Sequence, residues 1–238
     1  MMYKFGFLFL MCCFQCLRLS AQQVEPHIQI IEANGEAVDV SLGADSLYAG
    51  SAPIVARLTA NPSGNEGRTS LYEWRFIKQG STTPSVVRYD EDVDFTFTES
   101  GSFNIYLYAT FIDVATNDTI IDDTHGPITI VVSESSLSVP NAFSPNGDGI
   151  NDVLKVKAKS IVEFHAYIFN RWGQQIYEWG IDQMNEGGWD GTSHGKPVKD
   201  GVYFIVVKAK GSDGRKYSIK HDINILRGYD NTSGVSTK

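Results

Sequence analysis

The sequence of 238 residues is poor in cysteine, and its cysteines lie together near the start. Cys12, Cys13 and Cys16 are the three cysteines of the chain. All of them fall within residues 1–21, a segment that we predict to be removed. The mature chain then contains no cysteine, which excludes disulfides, thiolate nucleophiles and cysteine metal sites.

A long apolar run is also lacking. The apolar run near the start covers the ten residues Phe5–Phe14, whereas a helix that crosses a bilayer needs about 20. Lys4 precedes it, and Leu19-Ser20-Ala21 follows as a small-residue site. This order is typical of a secretory signal peptide. We therefore predict that residues 1–21 direct export, that cleavage falls between Ala21 and Gln22, and that the protein has no membrane span.

A lipid anchor is the alternative for this segment, because lipid attachment uses a cysteine at the cleavage point. No small residues precede any of the three cysteines. The pattern therefore favours a removed signal peptide over a lipoprotein.

The chain has no basic excess. It carries 20 Lys and Arg residues against 28 Asp and Glu residues, a formal net charge of −8. Without Lys4 and Arg18 of the signal peptide, the net charge is −10. Such a charge opposes binding to nucleic acids and to anionic membranes and favours solubility. Neither class of partner is predicted.

Recognised catalytic motifs are missing as well. The five histidines are scattered, and the chain has no His-Glu-x-x-His, no Gly-x-Ser-x-Gly and no phosphate-cradling glycine loop. With 28 acidic residues, accidental carboxylate pairs carry no weight. We predict that the protein is not an enzyme and has no catalytic residues.

Sustained 3.6-residue apolar periodicity is absent, so helices should be scarce. Short strand-like segments with turn signals fill two blocks, separated by the polar stretch 133–138 and Pro140. We predict an all-β fold with a signal peptide (1–21), a first β-sandwich (22–135), a second β-sandwich (136–228) and a polar tail (229–238).

The predicted strands of the first block are Ile28–Ile30, Ala37–Val40, Ile54–Ala60, Leu71–Ile77, Val86–Tyr89, Phe95–Thr98, Ser102–Ile112 and Ile128–Val132. Those of the second are Val153–Val156, Phe164–Arg171, Gln175–Trp179, Val202–Lys208 and Tyr217–Leu226. The strand Val202–Lys208 is apolar on both faces and should lie centrally in its sheet.

The first block is similar to PKD-like domains. Tyr72-Glu73-Trp74-Arg75-Phe76 gives the tryptophan strand, and Phe95–Ile105 gives a glycine turn followed by a long paired strand. The resemblance implies an immunoglobulin-like sandwich. Trp74 shares a face with Tyr72 and Phe76 at period two, which is typical of a core face. A sugar-stacking platform is the alternative for Trp74.

Other features of the first block leave alternatives open. Tyr106 and Tyr108 lie opposite the core face and indicate either a contact surface or packing under a loop. The acidic run 90–94 suits a solvated loop better than a cation site, which needs spaced ligands. Two tripeptides, 45–47 and 118–120, look like O-glycosylation acceptors of exported Bacteroidetes proteins.

A turn rich in oxygen ligands opens the second block. Pro140 and Pro145 favour an extended entry, and Asn146-Gly147-Asp148-Gly149 must then turn sharply, because glycine supplies the positive torsions. Asn146, Asp148, Asn151 and Asp152 offer four hard oxygen ligands, although their spacing differs from an EF-hand. The segment therefore indicates a structural turn, with calcium binding as the alternative; no other cofactor is predicted.

Four motifs follow one another in the second block: Val139–Asp152, Phe169–Gly173, Gly188–Thr192 and Val198–Phe204. In this order they resemble the gliding-motility-associated C-terminal domain, a type B secretion signal of the Bacteroidetes type IX secretion system. The resemblance runs from about Val139 to Gly228.

The resemblance implies an immunoglobulin-like sandwich that type IX translocon or outer-membrane-associated proteins recognise. The residues that it marks for recognition are Pro145, Arg171, Trp172, Gly173, Trp189, Asp190, Gly191, Asp200, Gly201 and Tyr203. Because these markers are dispersed, only folding can bring them together.

Three functions compete for the whole chain. One is a small non-enzymatic component of the secretion system, similar to PorA, whose C-terminal domain in that family is described as a ligand for a sensor histidine kinase. The second is a surface adhesin whose PKD-like domain binds glycan or protein. The third is a small hydrolase cargo, which no motif supports. Each implies an exported protein in the periplasm, on the outer membrane or in the medium, and the ten residues after Gly228 favour the component.

Overall fold

The computed structural model describes residues 23–31, 36–40, 46–184 and 187–228, with backbone alone at 122–124. The predicted signal peptide with its cleavage site at Ala21 and Gln22, Asp45 of the first glycosylation tripeptide, and the tail 229–238 lie outside these residues.

The described chain is nearly all-β, as the sequence predicts. The strands of its first part are β1 (Gln23–Val24), β2 (His27–Ile31), β3 (Ala37–Val40), β4 (Leu47–Gly50), β5 (Ile54–Thr59), β6 (Pro62–Ser63), β7 (Arg68–Lys78), β8 (Val86–Arg88), β9 (Asp92–Phe97), β10 (Gly101–Asp113) and β11 (Thr119–Val132). The second part has β12 (Ser136–Ser138), β13 (Ala142–Phe143), β14 (Lys157–Lys159), β15 (Ile161–Phe169), β16 (Gln175–Gly180), α1 (Ile181–Met184), β17 (Thr192–Ser193), β18 (Lys196–Pro197), β19 (Gly201–Gly211) and β20 (Lys216–Ile225).

Two sheets enclose the first core. One has the order β3-β2-β5-β9 and the other the order β4-β11-β10-β7-β8. Alternate side chains of the long strands point inward, and Trp74 at their centre is 0% exposed, with its indole N–H donating to the carbonyl of Asp90 over 3.1 Å. The prediction of a core role for Trp74 is confirmed, since a buried indole cannot serve as a sugar platform.

One large sheet, with the order β13-β20-β19-β15-β16, forms one layer of the second domain. The opposite layer is built from the small sheets β12-β14 and β17-β18, the four-residue helix α1 and loops. The second core lies between them and includes Trp179, Trp189 and Ile205. The architecture is therefore sandwich-like, with a second layer made largely of turns.

One strand prediction is wrong. Val153–Val156 forms no strand, and Leu154 makes only an isolated antiparallel bridge with Trp189. The ladder cannot extend because the facing backbone turns away at Gly191, whose φ is +77°. The central placement of β19 is confirmed, but its face bearing Val202 and Phe204 is exposed rather than covered.

The junction between the two cores is tied by hydrogen bonds. The amide of Ala52 donates to the buried Ser160 hydroxyl over 3.1 Å, and the amide of Ser100 donates to the carbonyl of Ser212 over 3.0 Å. Ser135, from the polar stretch that the sequence indicates as a linker, is buried and donates to Asp213 over 2.7 Å. The stretch therefore packs against the second domain along part of its length.

The remaining sequence features of the first domain lie near its surface, with Tyr106 and Tyr108 half-buried. In the acidic run, Asp94 lies in β9 and pairs with Arg57 at 2.9 Å. Arg75 stacks over Tyr108 at 4.1 Å from the ring centroid. Thr119 is exposed at the start of β11, so its glycosylation stays a prediction. Within the described ranges, no helix is long and apolar enough to cross a membrane.

Candidate recognition site

The turn after Pro145 is built around the carboxylate of Asp152. Its Oδ1 accepts the amides of Asn146 and Gly147 at 3.0 and 2.7 Å, and its Oδ2 accepts the amide of Gly149 at 2.7 Å. The Gly147 amide has the largest effect and lowers the pKa of Asp152. Burial opposes it, and the amides of Gly149 and Asn146 lower the pKa further. The carboxylate therefore caps the turn by accepting three backbone amides.

The other oxygen ligands of this turn are also engaged. Asp148 accepts the amide of Ile150 at 2.7 Å, and Asn146 accepts the amide of Asp148 at 3.1 Å. Asn151 adopts a φ of +55°. Among the described residues, no group of three or more His, Cys, Asp or Glu side chains is placed to hold a metal. These bonds support the structural interpretation, and calcium binding stays untested.

Trp189 anchors the second motif in the core. Its side chain is 0% exposed, and its indole N–H donates to the carbonyl of Thr192 over 2.8 Å. The ring lies 5.4 Å from that of Phe143 and 5.2 Å from that of Tyr203. Asp190 then accepts both the amide and the hydroxyl of Thr192, at 2.9 and 2.8 Å. The Trp-Asp-Gly-Thr motif is thus a buried anchor followed by a capped turn.

Arg227 ties the motif turns together. Its Nε donates to the carbonyl of Pro145 over 3.2 Å, and its Nη2 donates to the carbonyl of Gly191 over 3.2 Å. Its Nη1 donates to the carbonyl of Val198 and to Asp200, both over 2.6 Å. Its own amide also donates to Asp200 over 3.2 Å. One side chain therefore holds three dispersed motifs at one end of the domain.

The last motif supplies a glycine at positive φ and a half-buried tyrosine. Gly201 has a φ of +138°, as its place in the predicted turn requires. Tyr203 donates its hydroxyl to the carbonyl of Lys199 over 2.7 Å. Burial raises the pKa of Tyr203, while the positive charges of Arg227 and Arg171 oppose that rise. Arg171 thus lies close to the same end of the domain.

The Arg171-Trp172-Gly173 motif forms the exposed turn between β15 and β16. Asn170 caps it by accepting the amides of Trp172 and Gln174 at 3.0 and 3.1 Å. Arg171 lies over the Trp172 ring at 4.3 Å, and Trp172 is 74% exposed. Among the marked residues, this pair presents an aromatic ring and a charge to solvent.

Sequence reasoning missed Arg227, and it placed Gly188 in the third motif without giving it a role. Arg227 lies beyond the last motif, and only its position just after an apolar strand could have drawn attention to it. A side chain at Gly188 would place its Cβ 2.3 Å from the carbonyl oxygen of Leu154. Close backbone approach of this kind leaves no periodic signal in a sequence.

A comparison with protein families identifies this end of the chain. Residues 137–222 match the CHU_C Type IX secretion signal domain. The C-terminal domain is a type IX secretion signal domain. The match covers the signal domain alone, and Arg227 lies beyond it although it ties its turns together.

No curated protein matches the chain. Solved structures show faint likenesses. The FN1–FN3 domains of chicken CNTN1 are 14% identical, with a TM-score of 0.26, over 83% of this chain and 76% of that one. Dimeric latent PorU from Porphyromonas gingivalis is 13% identical, with a TM-score of 0.26, over 84% of this chain and 20% of that one. A tetra-tandem repeat in the extending region of a large adhesion protein is 10% identical, with a TM-score of 0.24, over 87% and 68%.

Of the marked residues in the signal domain, Pro145, Trp189, Gly191 and Asp200 shape turns, whereas Trp172 projects into solvent. The signal implies that the protein is exported.

Proposed function

We propose that the protein is a non-enzymatic, PorA-like component of the type IX secretion system. Its signal domain is recognised by translocon or outer-membrane-associated proteins, or by a sensor histidine kinase. The observation that carries this proposal is the match of residues 137–222 to a type IX secretion signal. Arg227 and the turns that it ties support recognition of the folded domain over recognition of a linear tag.

Export by the type IX system is the first thing to test. A reporter is fused ahead of residues 22–238, behind a signal peptide, in strains with and without a working translocon. We expect the reporter at the surface or in the medium only where the translocon works, and in the periplasm otherwise. Equal distribution in both strains would show that the signal domain is not read.

An adhesin that uses its first domain is the second candidate. Leu71 on β7 and Ile121 on β11 both face Thr110 of β10 across the sheet. Leu71 is 54% exposed and Ile121 is 67% exposed, so an exposed apolar side chain lies on each side of Thr110. Exposed apolar groups that adjoin one another favour a contact surface.

Deletion of the gene in the native organism separates the two candidates. A secretion component predicts that other type IX cargo stays in the periplasm when this protein is missing. An adhesin predicts normal delivery of other cargo together with weaker attachment to surfaces or cells. The variant Leu71→Thr/Ile121→Thr should reproduce the attachment defect if the first domain binds, and should leave cargo delivery unchanged.

A further inference from the structure

The signal domain leaves an apolar stripe uncovered on its large sheet. Val202, Phe204 and Val206 alternate along β19, and Tyr167 and Phe169 lie beside them on β15. Val206 faces Tyr167, and Phe204 faces Phe169, across the ladder. Val202 is 48% exposed and Phe204 is 45% exposed, and none of the five side chains belongs to the buried core.

This stripe is unusual for the outer side of an antiparallel sheet. Such a side is ordinarily polar, because the opposite side already supplies the core. Here β19 is apolar on both sides, which is typical of a strand covered on both. Contiguous exposed apolar groups of this kind mark contact surfaces.

Lysines continue the same side of the sheet. Lys208 and Lys210 follow the apolar stripe along β19, and Lys216 and Lys220 lie on the neighbouring β20. Lys210 pairs with Glu163 at 3.1 Å. The other three lysines take part in none of the salt bridges found among the described residues. On the same side of the sheet, Glu178 faces Tyr167 and Asp222 faces Phe204, so carboxylates flank the stripe itself. The excess of positive charge lies at the lysine end, where the four lysines adjoin Glu163, in a chain whose net charge is −8.

The shape of the surface fits a protruding partner. A concavity of about 580 Å³ lies at the lysine end, lined by His165, Lys208, Lys210, Lys216 and Tyr217 among others. His165 stacks on Tyr167 at 4.5 Å and joins this concavity to the apolar stripe. Apolar and cationic contacts are therefore continuous across the sheet.

We propose that the outer face, defined as Tyr167, Phe169, Val202, Phe204 and Val206 with Lys208, Lys216 and Lys220, docks an acidic protein segment of the export machinery. The segment presents carboxylates to the lysines and aliphatic or aromatic side chains to the stripe. Charge complementarity sets its orientation, and burial of the stripe supplies most of the affinity. This inference rests on the proposed function and names the surface and the partner chemistry.

The test uses the complete mature chain with its reporter. One variant, Val202→Thr/Phe204→Thr, removes apolar surface and keeps residues that favour strands. A second, Lys208→Glu/Lys220→Glu, reverses the charge. Matched controls are Val38→Thr/Val114→Thr on the first domain and Lys155→Glu/Lys157→Glu, which are exposed and lie outside the strands of the outer face. Melting curves establish that every variant is folded.

We expect both outer-face variants to lower the delivered fraction by about tenfold or more. Both controls should deliver as the wild type does. Normal delivery of either outer-face variant overturns this inference and leaves the proposed function standing. Failure of the wild type itself to depend on the translocon overturns both.

Cross-linking identifies what covers the face. A photoreactive phenylalanine analogue at Phe204 should give a cross-link to an envelope protein through a peptide rich in Asp and Glu, and the same analogue at the exposed Val114 should not. A cross-linked peptide rich in Lys and Arg contradicts the charge argument. Cross-linking of the chain to itself, or face-dependent sedimentation with phosphatidylglycerol vesicles, would instead assign the face to a second copy or to a membrane surface.

Discussion

Arg227 is the residue whose contacts reach furthest along the chain. A guanidinium has five N–H donors in a fixed planar fork, so one side chain can serve several carbonyls at once. Arg227 uses this fork on Pro145, Gly191 and Val198, and adds an ion pair with Asp200 at 2.6 Å. Each of these turns contributes a carbonyl that would otherwise need another donor.

Replacing Arg227 with lysine should loosen the whole end of the signal domain. Lysine keeps the charge but cannot reach three carbonyls in fixed directions. We expect Arg227→Lys to lower the free energy of unfolding by about 2 kcal/mol or more. Arg215→Lys, on an exposed turn of the same domain, should change it by less than about 0.5 kcal/mol. Urea unfolding measures both, and equal stabilities would show that Arg227 is dispensable.

Asp152 makes the turn after Pro145 sensitive to acid. Its folded pKa lies below the ordinary value, chiefly because the Gly147 amide stabilises the carboxylate. The resulting stability is present above the unfolded pKa of about 3.9 and is lost as the pH falls from there through the folded pKa. The melting temperature of wild type should therefore exceed that of Asp152→Asn at neutral pH, with the gap closing below about pH 4.

A difference in melting temperature between wild type and Asp152→Asn that does not change with pH would mean that the charge of Asp152 does not stabilise the turn. Asp222→Asn, which removes an exposed carboxylate from β20, controls for the change in net charge.

Calcium should leave the same turn unchanged. Three of the roughly four lone-pair sites of the Asp152 carboxylate already accept backbone amides, which leaves little capacity for a cation. We expect the melting temperature to be equal in chelator and in millimolar calcium. A clear rise with calcium, by preferential binding to the folded state, would restore the calcium interpretation of Asn146 to Asp152.

At the scale of elements, the signal domain relies on turns that approach one another closely. Gly188 has a φ of +148°, and its α-carbon faces the carbonyl of Leu154. The next residue, Trp189, forms a bridge with Leu154 through two backbone hydrogen bonds of 2.8 and 3.2 Å. The bridge lies where the sequence predicted the strand Val153–Val156.

Gly188→Ala should break this bridge, whereas Gly195→Ala should not. Both glycines have positive φ, so both substitutions carry backbone strain. The added Cβ meets the Leu154 carbonyl oxygen at 2.3 Å in the first case and nothing within 4 Å in the second. We expect a loss of at least about 3 kcal/mol against about 1 kcal/mol, measured by chemical unfolding. Similar losses would mean that strain alone decides.

Some of these elements could be predicted from the sequence, and others could not. Strands with strict alternation, such as β10, were predicted nearly to the residue, because one buried side imposes period two. Val153–Val156 is also rich in apolar residues but makes only an isolated bridge, and pairing partners leave no trace in a local pattern. The contacts of Arg227 span 27 to 82 residues of sequence, which likewise puts them beyond local reasoning.

At the scale of the whole molecule, contacts at the junction couple the two domains and limit how independently each can fold. The turn after β19 reaches the first domain through Ser212, and Ser135 packs against Gly211. An added Cβ at Gly211 would lie 2.3 Å from the Cβ of Ser135. Because Gly211 has no Cβ, Ser135 of the connecting segment can pack directly against the second domain.

Gly211→Ala should disturb this junction. Overpacking of such a contact typically costs about 1 to 3 kcal/mol. Gly180→Ala is the matched control, because its nearest atom is 3.9 Å away and its backbone is unstrained. We expect the first variant to melt earlier and to be cut faster by protease between residues 133 and 138. Unchanged cleavage would show that the connection is held elsewhere.

The two blocks of strands were visible in the sequence, but their junction was not. Polar, serine-rich composition predicts a linker because serine forms no core. The same hydroxyls satisfy buried backbone groups here, and composition cannot distinguish a solvated serine from a bonded one. The exposed outer face was missed for a related reason, since an apolar strand looks the same whether or not another layer covers it.

Arg227 is also synthesised after the turns that it binds, because proteins are synthesised and translocated in chain order. It follows every turn that it ties, so the earlier strands emerge before the side chain that fastens them. A chain that ends between Phe204 and Arg227 carries all the motif residues without the side chain that ties their turns together. An export machinery that reads the closed shape would thereby accept finished molecules and pass over unfinished ones, with no separate inspection of length.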